Sequence, residues 1–347
     1  MYVESFLLPL LAVLTALFIW DAMKDAWKQT SATLNKESKA TDDNNNLPTT
    51  KTPSLTAKER EKRLKELGFD NNPHPFIIGQ PVRYAHFFCR EDIIENLFNL
   101  WKKFPIQNAA IYGEKRIGKT SLLRYLKDVV DNPNDSRFRK TQKTDYLPNS
   151  KQYCFIYVDF QDVEYHSPKR LLEYVLQNMK LEQAKQLDLS LSEDNPLLEF
   201  GRILSDHLIK PTIILMDEIG VVLERHPEEF PHNFWEGLRA IATTKLEPQC
   251  LGFVLASHEP PSELGNLICE GGSPFIDIFS DTIELKAFTE KQARELIASS
   301  PKPFSDDDVE FILKQNELKP YLLQMLCQRC LEAMQKGEDR SWREALE

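Results

Sequence analysis

The order of apolar and polar residues along the chain predicts strands and helices that alternate up to residue 287. Short, nearly continuous apolar runs predict buried strands at residues 109–112, 153–159, 212–218 and 251–258, and residues 282–285 are predicted to form a last short strand. Apolar residues spaced three and four positions apart predict helices at residues 90–98, 121–126, 168–179 and 196–209. Continuous apolar strands separated by helices are typical of an α/β fold, in which a parallel sheet carries helices on both faces.

The pattern changes on either side of this α/β region. Beyond it, helical spacing predicts a small helical lid or part of a winged helix, at residues 289–299, 306–315 and 321–334. Before it, residues 31–53 are polar and contain no aromatic residue, which predicts a flexible linker. Thr56 and Glu59 form a capping box for a short charged helix through Leu67. We therefore predict four regions: a hydrophobic helix at 1–29, a linker at 30–72, an α/β domain at 73–287 and a lid at 288–347.

The first segment of the chain, residues 6–20, is uncharged and almost wholly apolar. It is shorter than the about 20 residues that a spanning helix needs, but Trp20 and Trp27 would mark a membrane interface. A cleaved signal peptide is disfavoured because Glu4, and no basic residue, precedes the run; a helix packed on protein is the other alternative. We interpret the run as a single membrane anchor. The lysines that follow it predict that the rest of the chain is cytoplasmic.

The composition narrows the classes of function. The 347 residues are 41% hydrophobic, enough for a sizeable core. The net charge of -10 argues against a general attraction to DNA or RNA, so nucleic acid is not an expected partner. The six cysteines are scattered in apolar stretches, as reduced and buried thiols are. Cys327 and Cys330 form a C-x-x-C pattern inside a predicted helix, so we expect core packing there rather than zinc binding.

A glycine-bounded loop follows the first predicted strand and matches the pattern G-x-x-x-x-G-K-[ST]. Gly113 and Gly118 allow a tight turn whose amides point at phosphate oxygens. Lys119 would reach the β- and γ-phosphates, and the Thr120 hydroxyl would ligate magnesium. Because a strand precedes this loop and an amphipathic helix follows it, we predict a nucleoside triphosphate site. Its phosphate-binding residues are Gly113, Glu114, Lys115, Arg116, Ile117, Gly118, Lys119, Thr120 and Ser121.

Acidic and polar residues end two later strands. Asp217 and Glu218 follow the apolar run of residues 212–216, at the strand end where ligands bind in open α/β sheets. We expect Asp217 to hold magnesium and Glu218 to polarise the attacking water. Ser257 ends the next strand and would sense the γ-phosphate or position the water. His258 follows Ser257. A local hydrogen bond at the strand end explains this residue as well as a functional role does.

With these elements in order, residues 73–335 resemble the additional-strand P-loop ATPases, and more narrowly the STAND or AAA-like ATPase modules. The resemblance is carried by residues 87–91, 113–120, 213–218 and 319–324. It implies ATP and Mg²⁺ as ligands, with Arg90 beside the phosphate or ribose and Pro320 of the lid beside the base. Cys89 and Leu318 stand where the family has glycine.

Three hypotheses of function follow. The first is a membrane-tethered, ATP-hydrolysing switch that self-associates or recruits a protein partner in its ATP state. The second is a nucleic-acid-associated loader ATPase, and the third is a scaffold that binds nucleotide without hydrolysing it. Related ATPases sometimes present an arginine to a neighbouring subunit from the region of Arg239, although a solvated helix face is the simpler role for that residue.

Overall fold

The computed structural model describes residues 57–67, 74–182, 187–269, 273–315, 317–337 and 341–344. The chain divides into two units between residues 72 and 73. In the first unit, helix α1 (Ala57–Glu66) is the predicted charged helix, and Lys62 pairs with Glu66 one turn later at 3.8 Å. The apolar run of residues 6–20, and with it the predicted anchor, lies outside the described residues. Within the described ranges, no helix is both long and apolar enough to cross a bilayer.

The second unit is built on a five-stranded sheet. Its strands are β1 (Ala109–Tyr112), β2 (Cys154–Asp159), β3 (Thr212–Asp217), β4 (Leu251–Ser257) and β5 (Asp281–Glu284). All neighbouring pairs are parallel, in the order β2-β3-β4-β1-β5. The parallel sheet is confirmed. Because β4 lies between β1 and β3, one additional strand separates the strand before the glycine loop from the strand that ends in acids.

Seven helices of the described residues connect or flank these strands. They are α2 (Glu91–Leu100), α3 (Lys119–Asp131), α4 (Pro168–Asn178), α5 (Pro196–His207), α6 (Gly220–Arg225), α7 (His232–Ala240) and α8 (Pro261–Ile268). A π-helical turn, Ile241–Lys245, continues α7. Helices α6 and α8 have six and eight residues, and the sequence analysis did not predict them. So few residues complete only about two turns, which is too short for a helical period to show.

The continuous apolar runs are explained by burial on both faces of the sheet. In β3, the side chains of Ile214 and Met216 join a core with helices α4, α5 and α7. Those of Ile213 and Leu215 point the other way, into a second core with α2 and α3. Since alternate residues of a strand face opposite sides, both sets must be apolar when helices cover both faces.

A third core joins the C-terminal helices to residues that precede α2. The helices are α9 (Glu290–Ile297), α10 (Asp306–Lys314), α11 (Pro320–Lys336) and α12 (Ser341–Glu344). Phe76 and Phe88 pack in this core with Cys327 and Cys330 of α11, where burial raises the pKa of both thiols to about 12. From residue 289 onward the described residues contain helices and no strand, which agrees with the helical lid among the two predicted alternatives.

Candidate nucleotide-binding site

A cavity of about 470 Å³ lies between the carboxyl edge of the sheet and the lid. It collects residues from the loop between β1 and α3, from the end of β3, from the chain before α2 and from α11. The lining residues include Ile77, Gly79, Phe88, Arg90, Arg116, Ile117, Gly118, Lys119, Thr120, Ser121, Gln161, Glu218, Phe288, Pro320, Tyr321 and Gln324. Most of the predicted phosphate-binding residues therefore line the cavity.

The glycine loop has backbone conformations that its two glycines make possible. Gly113 has a φ of +147°, and a Cβ there would lie 2.7 Å from the carbonyl oxygen of Leu285. Gly118 has a φ of +105° and directly precedes α3, which begins at Lys119. The positive end of the α3 dipole and its free amides consequently face the cavity.

Lys119 is buried inside the loop that it follows. Its side chain is only 5% exposed, and Nζ donates to the carbonyl oxygens of Gly113 at 2.7 Å and Glu114 at 3.1 Å. Burial lowers its pKa, while the nearby carboxylates of Glu218 and Asp217 raise it. A buried ammonium needs such acceptors, and phosphate oxygens can replace these carbonyls when a nucleotide enters.

Asp217 ends β3 with its carboxylate enclosed by protein. The residue is 1% exposed, Oδ2 accepts a hydrogen bond from the Tyr157 hydroxyl at 2.7 Å, and Oδ1 is buried without a partner among the described residues. Burial raises its pKa to about 6, whereas the hydroxyls of Tyr157 and Thr120 act in the opposite direction. A buried carboxylate oxygen without a partner, close to a threonine hydroxyl, fits the oxygen ligands that Mg²⁺ prefers.

Glu218 follows Asp217 and turns the chain away from the sheet. Its φ is +53°, a left-handed conformation that non-glycine residues adopt at a cost of about 1–2 kcal/mol. Such conformations concentrate at functional sites. The side chain is half-buried and lines the cavity, within the same space as Lys119 and Thr120.

Ser257 ends β4 and His258 follows it, and neither residue lines the cavity. Ser257 is 2% exposed, and its hydroxyl donates to the Glu259 carbonyl at 2.6 Å. Its predicted sensing role therefore has no support from this geometry and stays a prediction. His258 is half exposed, and its Nδ1 lies 3.2 Å from the Gly113 carbonyl, which agrees with the local hydrogen bond considered for it.

Arg90 is buried at the edge of the cavity and contacts the segment that leads into the lid. Its guanidinium donates to the Lys286 carbonyl and lies over the Phe288 ring, 4.8 Å from the centroid. Burial lowers its pKa to about 10. Cys89, with a φ of +63°, and Arg90, with a φ of +75°, are both in the left-handed conformation that glycine adopts more readily than other residues.

The lid closes the other end of the cavity through contacts with the glycine loop. Pro320 begins α11 and lines the cavity; next to it, the Tyr321 ring lies 4.3 Å below the Arg116 guanidinium. Lys319 pairs with Glu114 of the loop at 2.5 Å. Arg239, on α7, is exposed, as the simpler interpretation of it required.

Several lining residues were absent from the sequence-based site. The buried Gln324 accepts a hydrogen bond from the Ile77 amide at 3.1 Å, although 247 residues separate them. Phe288 and Gln161 also line the cavity. One signal was available: Gln324 is a polar residue on the apolar face of α11, where a buried polar group needs a specific partner.

Comparisons with known proteins agree with this architecture at the level of the fold. A scan against protein-family models finds no match, and a search of curated proteins finds none. Among solved structures, the chain is similar to the ORC1 protein of Aeropyrum pernix in complex with DNA, at 15% identity, 77% coverage of this chain, 67% of that chain and a TM-score of 0.50. The Aeropyrum pernix ORC2 protein, in ADPNP-ADP complexes, is similar at 13% identity, with 78% and 67% coverage and a TM-score of 0.50.

At these identities the likeness concerns the fold alone. The parallel sheet with its additional strand, the glycine loop and the acidic strand end define a P-loop NTPase fold, as predicted. The narrower STAND or AAA-like subtype finds no support in these comparisons.

Proposed function

We propose that this protein binds Mg·ATP in the cavity and hydrolyses it. The observation that carries the proposal is the buried Oδ1 of Asp217, which has no partner among the described residues and lies close to Thr120 at the mouth of the glycine loop. A core residue would gain nothing from such an oxygen, because an unpaired buried polar group costs free energy. A divalent cation bound at this oxygen would be the missing partner.

Each side chain has a distinct role in this mechanism. The amides of the glycine loop and Lys119 bind the β- and γ-phosphates, and Thr120 and Asp217 hold the metal. When bound, Mg²⁺ neutralises charge on the phosphate oxygens. Glu218 orients a water for attack on the γ-phosphorus and accepts its proton as ADP leaves. The apolar end of the cavity, near Phe88 and Phe288, receives the base.

The test replaces the metal-binding carboxylate. We expect Asp217→Asn to retain ATP binding in EDTA but to lose the stimulation of phosphate release by Mg²⁺. Asp162→Asn is the control, because the Asp162 carboxylate lies in the loop after β2, where it accepts a hydrogen bond from the Glu164 amide at 3.0 Å. Unchanged phosphate release by Asp217→Asn would contradict the proposal. Competition between ATP and GTP in the same assay identifies the preferred base. We expect ATP to be preferred, because the sequence lacks the guanine-reading N-K-x-D pattern.

For the biological task, we favour the loader ATPase that acts on nucleic acid. Its support is the similarity of fold to an ORC1 protein that was solved in complex with DNA. The net charge of -10 argues against broad electrostatic binding, so any contact with DNA should be confined to a local surface. Retention of duplex DNA that depends on ATP and falls with salt would support this task. Retention that is absent at low salt would refute it.

The membrane-tethered switch is the alternative task, with self-association or a protein partner as its output. It depends on residues 6–20, which lie outside the described part of the chain. Membrane fractionation of the full chain and of a variant without residues 1–29 tests the anchor.

The non-catalytic scaffold is excluded if the wild-type protein releases phosphate from ATP over many turnovers.

A further inference from the structure

The metal-binding carboxylate contacts a residue that belongs to neither nucleotide motif. Tyr157 lies in β2 and pairs in register with Leu215 of β3, two residues before Asp217. Alternate residues of a strand share a face, so Tyr157 and Asp217 are diagonal neighbours on one side of the sheet. The phenol spans this diagonal, and its hydroxyl donates to Oδ2 of Asp217 at 2.7 Å.

Tyr157 is itself held in place from two directions. The Arg124 guanidinium lies over its ring, 5.1 Å from the centroid. Arg124 follows Thr120 by four residues in α3, so both side chains project from the same helix face, towards β2 and β3. From the other side, the Tyr174 hydroxyl donates to the Tyr157 carbonyl at 3.1 Å. The first contact packs against the phenol ring, and the second fixes the main chain that carries it.

We propose that Tyr157 is a positioning residue of the magnesium site, which holds Oδ2 of Asp217 so that Oδ1 alone is presented to the cation. The inference rests on the proposed function. A free carboxylate can rotate and offer either oxygen or both, whereas Mg²⁺ demands near-ideal octahedral geometry. One occupied oxygen leaves a single ligand atom in a defined direction. Partners that orient metal ligands in this way contribute strongly to metal affinity.

The test compares nucleotide affinity with and without the metal. Calorimetric titration of ATP into Tyr157→Phe should show affinity in Mg²⁺ reduced about tenfold, and affinity in EDTA within about twofold of wild type. Tyr153→Phe is the matched control. Tyr153 directly precedes β2, and its hydroxyl donates to the Trp101 carbonyl at 3.0 Å rather than to Asp217. It should leave both affinities unchanged. A merely structural role for Tyr157 would lower the two affinities together.

The outcomes separate this inference from the proposed function. If wild type binds ATP more tightly with Mg²⁺ and Tyr157→Phe keeps the same ratio of affinities, the positioning role is wrong. If wild type shows no effect of Mg²⁺, the proposed function fails, and this inference fails with it. Should Tyr157→Phe not fold, Arg124→Met keeps the hydroxyl but removes the guanidinium from the ring, and should lower the ratio by a smaller factor. An unchanged ratio in Arg124→Met would then overturn the proposal.

Discussion

The two ends of the cavity are built by different means. The phosphate end is one continuous segment, residues 116–121, completed by Glu218, which directly follows β3. The lid end is assembled from separate parts of the chain: Ile77 meets Gln324 across 247 residues, and Arg90 meets Phe288. The backbone conformation of the glycine loop determines the phosphate end, because the loop binds phosphate through its main-chain amides. Packing of distant segments determines the lid end.

This difference leads to different expectations for mutation. At the phosphate end, Lys119 and Asp217 are buried and each makes a specific hydrogen bond, so their loss should remove a function outright. Where the lid meets the glycine loop, contacts such as the Arg116–Tyr321 pair are partly exposed, so loss of the lid residue should only weaken binding. Four predictions test the contrast.

The largest effect is expected for Lys119→Ala. Removal of the ammonium should weaken ATP binding about 100-fold or more, because two charge-assisted hydrogen bonds to phosphate are lost. Isothermal titration with ATP measures the affinity. Lys115→Ala is the control: this exposed lysine lies in the same loop, but the proposal uses only its backbone amide, which alanine keeps, so we expect a change below about twofold. Equal losses in the two variants would mean that the loop acts through its overall charge.

Glu218→Gln should separate binding from hydrolysis. Without a proton acceptor for the attacking water, phosphate release should fall by about 10²–10⁴-fold, while ATP affinity stays close to wild type. Single-turnover phosphate release measures the effect. The control is Glu224→Gln, an exposed residue of α6. Unchanged release in Glu218→Gln would remove this residue from the mechanism.

Gly113 in the glycine loop and Gly79 in the chain before α2 allow the cost of an added methyl group to be compared at two places in the chain. Alanine at Gly113 meets the Leu285 carbonyl oxygen at 2.7 Å, whereas alanine at Gly79, with a φ of +78°, meets nothing within 4 Å. Gly79→Ala should lower the free energy of unfolding by about 1 kcal/mol through backbone strain, and Gly113→Ala by about 3 kcal/mol through strain and overlap. Urea unfolding without nucleotide measures both. Equal values would show that the loop relaxes around the added methyl group.

The smallest effect is expected for Tyr321→Leu at the lid end. Loss of the ring under the Arg116 guanidinium should weaken ATP binding about two- to fivefold, as is usual for an exposed cation–π pair. Phe311→Leu removes a comparable pair with Arg343, inside the lid, and should leave ATP affinity unchanged. A loss as large as that of Lys119→Ala would show that the two ends do not differ as proposed.

Much of the fold could be predicted from the local order of apolar and polar residues. Strands β1 to β5 were predicted within one or two residues. For β1 to β4 the reason is that burial on both faces requires continuous apolar runs, whereas β5 lies at the sheet edge and alternates between half-buried and exposed residues. The short helices α6 and α8 were not predicted. The contribution of Tyr157 to the Asp217 site was also not visible, since it depends on which strand lies beside β3 and in which register.

The sequence by itself determined the glycine loop and the acidic strand end, because backbone conformation and strand burial depend on neighbouring residues. Only the tertiary structure decided which side chains meet there. It joined Tyr157 to Asp217, placed Gln324 against Ile77 and turned the Ser257 hydroxyl to the Glu259 carbonyl. The first two of these contacts link residues distant in sequence, and all three depend on side-chain placement that no local pattern encodes.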